Sequence, residues 1–389
     1  MPRPLLAAYP RRTGRYDEML ADDGRVRPSW QAFMRHLAAA TGEQMRHRLA
    51  YVRQRILENG VTYNVYADPK GADRPWEVDP LPLILSAAEW GKIASAVSQR
   101  ARLLDAVLGD LYGAQDLLRD GTLPPALVFG HNNFLWPCQG IRPPGGTYLH
   151  LYAADLARSP DGRWWVIADR TQAPSGAGYA LENRTIVGRL FSEQFRDLRV
   201  QHLAWFFREL QESLAGWAPR TGEAPLIVLL TPGPYNETYF EHTYLARYLG
   251  FPLVEGQDLT VRNACVYLRT LNGLRRVHAI LRRLDDDYCD PLELRADSAL
   301  GITGLLQAVR AGNVLVANAL GSGLLESPAL PGFLPGACEK LLAEPLAMPS
   351  VATWWCGEQA ALEFTIEHLD RLVIKGSFPL QRFDPIFGN

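Results

Sequence analysis

The sequence predicts an α/β (α+β) protein with an N-terminal helical region and an open mixed sheet. Apolar residues recur at helical spacing through the N-terminal third. Two short alternating strands fall between Tyr148 and Arg189, and strands alternate with helices from Pro225 to about Ala329. With 389 residues, 47% of them apolar and 21% charged, the chain is long enough for two or three packed subdomains.

Taking the elements in order, WQAFMRHLAAA and MRHRLAYVRQRILENG carry helical spacing between Ser29 and Asn59, where Asn59-Gly60 is a stop signal. A β-type alternation, VTYNVYA, comes next. The stretch from Trp76 to Gly113 then reads as a proline-delimited turn leading into a long amphipathic helix. TYLHLYAADL and RWWVIADR are strands joined by the turn SPDGR, and Pro-Ser-Gly in TQAPSGAGY breaks the second one before a further short segment, YALENR. APLIVLLTPG is a buried strand, and YNETYFEHTYLARYLG is a helix capped by Asn236 and closed by Gly250. Residues 252–270 add strand material, AIL leads into RRLDDDYCD, LLQAVRAG is a helix, and NVLVANALGSG and RLVIKG complete the strands.

Charge and cysteine usage exclude several classes. A net charge of -2 supplies no basic field for a nucleic acid or an anionic membrane. The five cysteines are widely separated and show no zinc spacing, which fits a reduced, cytoplasmic protein. The apolar stretch of MPRPLLAAYPRR is too short for a signal-peptide core, and no run approaches the roughly 18 apolar residues of a membrane helix.

The block from Asp155 through SPDGR to Ala168-Asp169-Arg170 and TQAPSGAGYALENR stands first in an ordered set of motifs. LLTPGPYNETYFEHTYLARYLGFPLVEGQDLTV, RRLDDDYCDPLELRADSALG, AGNVLVANALGSG and the strand-end Lys375 follow. Together they resemble the circularly permuted ATP-grasp family (type 2), related to glutathionylspermidine synthase-like carboxylate–amine ligases, over essentially the whole chain.

The resemblance implies a circularly permuted ATP-grasp-like fold. Residues 1–145 would form the helical region, 146–224 the metal-ligand hairpin and helix, 225–335 an α/β substrate subdomain, and 336–389 the start of a lid. It further implies an ATP-dependent amide or peptide ligase acting through an acyl phosphate. ATP and Mg2+ would be its cofactors, and a small-molecule or peptide carboxylate and an amine its substrates. Asp155, Asp169 and Glu182 would hold the metal; Lys375, Arg170, Ser175, Gly176 and Arg184 would contact nucleotide phosphates. Arg283 would orient the carboxylate and Asp286 accept the amine proton, with Asn236, Glu237, Arg282 and Asn318 around the substrate.

Two departures from the family pattern stand in the sequence. Ala168-Asp169-Arg170 replaces a Glu-x-Asn, so Ala168 offers no ligand and Arg170 opposes a second metal, although it could pair with a phosphate. After Lys375, Phe378-Pro379-Leu380 replaces a glycine-rich phosphate loop, and the chain stops at Asn389, before the lid and adenine hinge are complete, which leaves either a truncated sequence or an unfinished nucleotide site. The alternative expectation is therefore a catalytically degenerate binding or scaffold protein, working with an active partner that supplies the activity or the missing lid.

Several residues carry blander readings. RRLDDDYCDPLELRADS is either a surface loop of mutually paired charges or a substrate site at a strand end. The turn at Gly321 and Gly323 either admits a ligand close to the backbone or is simply tight. His150 and His242 are read as structural hydrogen-bonders, and Trp354-Trp355 with Cys356 as packing residues.

Overall fold

The structure is a computed structural model describing residues 9–10, 14–38, 40–64, 76–220, 222–381 and 383–388. The expected apolar N-terminal stretch, the end of VTYNVYA and Asn389 lie largely or wholly outside these residues. Helices α1 (Pro28–Ala38) and α2 (Gly42–Glu58) fill the region of helical spacing. Thr41 and Gln44 form a reciprocal capping box on α2, and Asn59 is its C-cap, as the stop signal predicts. Helix α3 (Ala87–Leu111) starts where the Ser86 side chain accepts a hydrogen bond from the Glu89 amide. No helix among the described residues is long and apolar enough to cross a membrane.

The hairpin is shorter than expected. Strand β1 (Ala153–Arg158) starts six residues inside TYLHLYAADL and pairs antiparallel with β2 (Trp164–Arg170). Asp155 therefore lies within β1, beside a register shift between it and Leu156. YALENR is no separate segment: it lies in helix α4 (Ala177–Leu190), whose spacing is masked in sequence by the glycines before it.

Helix α5 (Ala204–Trp217) leads to β3 (Ile227–Leu230), and helix α6 (Tyr239–Leu249) to β4 (Leu253–Val254). Asn236 sits ahead of α6 in an Asx turn, its Oδ1 accepting from the Thr238 amide at 2.9 Å, so the helix begins later than predicted. Strands β5 (Leu259–Arg262), β6 (Cys265–Thr270) and β7 (Gly273–Arg276) form an antiparallel meander. Strand β8 (Ala279–Arg282), helix α7 (Leu305–Arg310) and β9 (Leu315–Ala317) complete the α/β unit. Helices α8 (Leu334–Leu342) and α9 (Gln359–Glu367) precede the small pair β10 (Val373–Ile374) and β11 (Ile386–Phe387).

The central sheet is parallel, in the order β4-β3-β8-β9. Parallel and antiparallel pairing is thus divided between separate sheets. Both faces of the central sheet are covered, which explains the unbroken apolar run IVLL in β3. Val228, Leu230, Ile280 and Val316 share one core with Leu103, Leu104, Val107, Leu108 and Leu111 of α3. Ile227, Leu229, Leu281 and Leu315 pack on the other side against Phe207, Leu210 and Leu214 of α5 and Leu245 and Leu249 of α6. The beginning of α3 belongs to a third cluster, in which Ile93 and Ala96 meet Val166 of β2.

The chain leaves β3 toward β4 and returns through β8 on the other side, so the strand order reverses between the carboxyl ends of β3 and β8. Buried polar side chains close this edge. Arg282 donates from Nε to the Asn318 carbonyl, from Nη1 to the Leu284 carbonyl, and from Nη2 to Ser322 Oγ, each at 2.8 Å. Asn318 Oδ1 accepts from the His150 and Leu151 amides, and its Nδ2 donates to the Leu151 and Thr171 carbonyls, tying the sheet to both ends of the hairpin block. Replacing Asn318 by Ala strands buried backbone groups at about 1–3 kcal/mol each. Urea unfolding of Asn318→Ala is therefore expected to show a loss of several kcal/mol, whereas a loss under 1 kcal/mol would contradict this anchoring role.

Candidate functional site

The residues expected to hold a metal do not converge. Asp169 is paired across the hairpin with Ala154 and points inward, where Arg100 of α3 holds both its carboxylate oxygens at 2.7 Å and the Tyr152 hydroxyl donates to it at 2.6 Å. The ion pair is sealed, with side-chain exposures of 1% and 2%. Asp155, Ala168 and Arg170 share the opposite face by the alternation of the strands, and there Arg170 forms a half-exposed ion pair with Asp155 at 2.7 Å. Glu182 is helical and buried, accepting from Asn59 Nδ2 at 2.5 Å and lying beside the Tyr244 hydroxyl.

Magnesium requires a near-octahedral set of oxygen ligands. The hairpin's outer face offers one carboxylate, already beside a guanidinium, so the residues present do not fit the ion at this place. Among the described residues no group of three or more His, Cys, Asp or Glu side chains is placed to hold a metal. The expected metal roles of Asp169 and Glu182 are thus corrected: the first anchors the hairpin to α3 and the second anchors α4 to the end of α2.

The expected nucleotide contacts are also dispersed. Lys375 is exposed just beyond the two-residue strand β10, and Ser175 is exposed. Arg184 donates to the Gln201 carbonyl and lies over the Phe195 ring, so its role is to hold the segment after α4. Gly176 is different, because its amide faces inward and donates to the Glu241 carboxylate at 2.8 Å and 3.0 Å.

The charge-rich loop divides between its two readings. Asp287, Glu293, Arg295 and Asp297 form the expected network of partly exposed pairs, Arg295 bridging Asp287 and Asp297 while Glu293 meets Arg310. Arg282, Arg283, Asp286 and Asp290 are buried. Asp286 Oδ2 accepts from the Gly321 and Gly323 amides at 3.0 Å and 3.1 Å, and burial pushes its carboxyl above the usual range. It braces the turn after β9 and is not placed as a base toward open space. That turn is tight, since a Cβ on Gly321 would meet the Tyr112 hydroxyl at 2.2 Å. Arg282 and Asn318 are likewise structural, as their saturated hydrogen bonds require. Of the two buried arginines of this loop, Arg283 keeps unspent donors: its side-chain hydrogen bond is from Nη2 to Glu241 at 3.5 Å, and its buried Nε has no partner.

A cleft does exist at the outer side of α6. A cavity of about 390 Å³ is lined by Asn59, Thr62, Pro234, Asn236, Glu237, Tyr239, Phe240, Tyr244 and Arg247. A second, of about 350 Å³, shares Asn59, Phe240, Tyr244 and Arg247 and extends to Arg55, Glu182 and Arg189. Asn236 and Glu237 thus line a pocket as expected, following the strand β3 whose carboxyl end feeds it. Burial and the neighbouring Glu182 push the Tyr244 hydroxyl up to about 12, so it stays a neutral donor in this wall. The lining is polar, with Glu237 and Arg247 in the first cavity and Arg55, Glu58, Glu182 and Arg189 in the second.

Sequence reasoning passes over Arg100 and Glu241. Arg100 does leave a signal, as a cation within the buried stripe that includes Ile93, Ala96, Leu103, Leu104 and Val107 at helical spacing. Glu241 likewise interrupts the buried stripe of α6. Neither position reveals its partner.

The chain matches the model of the circularly permuted ATP-grasp type 2 family over residues 82–389. An uncharacterised protein of Mycobacterium tuberculosis (strain H37Rv) is 41% identical over 371 residues, covering 93% of this chain and 42% of the relative. An uncharacterised protein of Synechocystis sp. is 36% identical over 362 residues, covering 93% and 75%. The chain thus spans less than half the length of the mycobacterial relative. Among solved structures, a glutathione synthetase-like effector from Globodera pallida in its apo form has a TM-score of 0.54 at 14% identity, covering 90% of this chain and 76% of that one. That likeness concerns the fold. The chain belongs to the circularly permuted ATP-grasp type 2 family, whose chemistry is of the ligase type.

Two outcomes are expected of the site's electrostatics. Asp169→Ala, which leaves Arg100 buried and unpaired, should lose about 3–5 kcal/mol of stability in urea unfolding, against at most about 1 kcal/mol for Asp155→Ala; equal losses would refute the division of roles. His242 is engaged at both ring nitrogens by Thr231 and Thr238, and burial lowers its pKa to about 3. The unfolded chain binds this proton below pH about 6.5. The folded chain does not bind it until pH about 3, so stability falls as pH drops through that window. His242→Gln should flatten the slope of unfolding free energy against pH between those limits, and an unchanged slope would count against it.

Proposed function

We propose that this chain is a ligand-binding unit built on the ATP-grasp fold, holding a small polar or peptide ligand in the cleft beside α6. Magnesium–ATP chemistry, in this reading, is supplied by an active partner. The observation that carries it is the condition of the hairpin: Asp169 is locked to Arg100 and Tyr152, and Asp155 is spent on Arg170. The family generally uses ATP and Mg2+. These residues argue that the hairpin of this chain does not. The cleft contributes Asn236, Glu237, Tyr239 and Arg247 as polar contacts, enough to orient a ligand carrying both donors and acceptors. A reducing, cytoplasmic setting belongs to the same reading, supported by free thiols at Cys138, Cys265, Cys289, Cys338 and Cys356.

A second reading, an ATP-dependent carboxylate–amine ligase, is favoured by the exposure of the Asp155–Arg170 pair. A surface pair of this kind is worth about 1 kcal/mol or less. A phosphate could therefore draw Arg170 away and free Asp155 as one oxygen ligand, with Lys375 as a further cation.

Purified chain supplied with ATP, Mg2+ and a panel of amines and short peptides separates the two. The expected result is no amine-dependent ADP release and an ATP response that Asp155→Ala leaves unchanged. Amine-dependent ADP release that disappears in Asp155→Ala would overturn the proposal and establish the ligase reading.

A further inference from the structure

The strand-order reversal at β3 and β8 holds a second polar arrangement, separate from the outer cleft. Glu241 lies on the inner face of α6, fully buried. Its Oε1 accepts from the Gly176 amide at 2.8 Å and the Gly178 amide at 2.7 Å, at the first turn of the 14-residue helix α4. Gly176 has φ +112°, a conformation that favours glycine and that turns its N–H inward. A Cβ on Gly178 would stand 2.8 Å from Glu241 Cγ. The loop is therefore shaped around a carboxylate, with the positive end of a helix dipole behind it.

Arg283 faces the same carboxylate from the end of β8, and its side chain is 2% exposed. A buried guanidinium needs acceptors for its five donors. Here the one hydrogen bond is Nη2 to Glu241 Oε2 at 3.5 Å, and Nε has none. Arg282, the neighbouring residue, has partners for Nε, Nη1 and Nη2 at 2.8 Å in an equally buried setting. Of these two neighbouring arginines, Arg283 is the one whose acceptors are incomplete. Glu241 satisfies the glycine amides well and the arginine poorly, as a carboxylate approaching from the side of α6 would.

We propose that Arg283 and the amides of Gly176 and Gly178 form one oxyanion site, which the chain keeps closed with its own Glu241 carboxylate. The site admits the carboxylate or phosphate group of a ligand when Glu241 withdraws. Such a ligand supplies the acceptors Arg283 lacks. Occupancy by Glu241 reduces the apparent affinity in proportion to the fraction of molecules in which the site is open.

Inorganic phosphate and acetate serve as probes, followed by the amide resonances of Gly176 and Gly178 and by thermal unfolding at constant ionic strength. Glu241→Gln keeps the shape and removes the competing charge, so it should bind at least one probe about tenfold or more tightly than the unaltered chain. Glu241→Ala opens the cradle fully and should regain thermal stability saturably with the same probe. Arg283→Met in either background should abolish both responses. Preference for phosphate over acetate, or the reverse, assigns the ligand group. If the folded Glu241→Gln chain shows no saturable shift with either probe, or if Arg283→Met leaves the response intact, the proposal fails. If Glu241→Ala does not fold at any probe concentration, the amide shifts of Glu241→Gln decide. This test reads the inner site alone, so failure of the outer-cleft proposal would leave it standing.

Discussion

Arg282 is the interaction on which the architecture turns. The central sheet is apolar on both faces, so polar groups can be accommodated only at its ends. At the carboxyl end the backbone of the turn after β9 presents carbonyls that no strand partner can reach. The Arg282 guanidinium takes those of Asn318 and Ala319, together with the Leu284 carbonyl and the Ser322 hydroxyl. Asn318, fixed in turn, carries the hairpin block through Leu151 and Thr171. One buried cation thus positions both the sheet edge and the elements laid across it.

The same location explains why adjacent arginines differ in character. Arg282 points into backbone acceptors and is satisfied, whereas Arg283, one residue later, turns to the opposite side and meets helix-borne groups. Alternation along a strand is enough to give one arginine a structural task and leave the next one incompletely bonded. Asp155 and Asp169 are separated on the same principle. Side-chain parity in the hairpin sends one outward to Arg170 and the other inward to Arg100, so the two carboxylates do not share a ligand set.

The elements legible in sequence were those set by local rules. Helical spacing and the Asn59-Gly60 stop mark α2, helical spacing after a proline-delimited turn marks α3, the apolar run of β3 marks a buried strand, and SPDGR marks the hairpin turn. The family itself was legible from ordered motifs. What could not be read locally were partnerships between distant residues. Arg100 and Asp169 are 69 positions apart, and Gly176 and Glu241 are 65 apart. Each acid or base alone suits a ligand site or an internal pair equally well, and only the partner's position decides. Glu182 illustrates a different difficulty: the glycines before α4 obscured its helical spacing, so a residue facing α2 looked like a neighbour of the hairpin.

Helix α3 has a mechanical implication. Its 25 residues span about 37 Å at 1.5 Å per residue. Near one end Ile93 and Ala96 grip β2, midway Arg100 is bolted to Asp169, and the far half lies in the core beneath the sheet. The helix works as a rigid beam joining hairpin to sheet, and bending it would break a buried ion pair and two apolar clusters at once. Any closing movement over a bound ligand must therefore be made by elements that the beam does not hold.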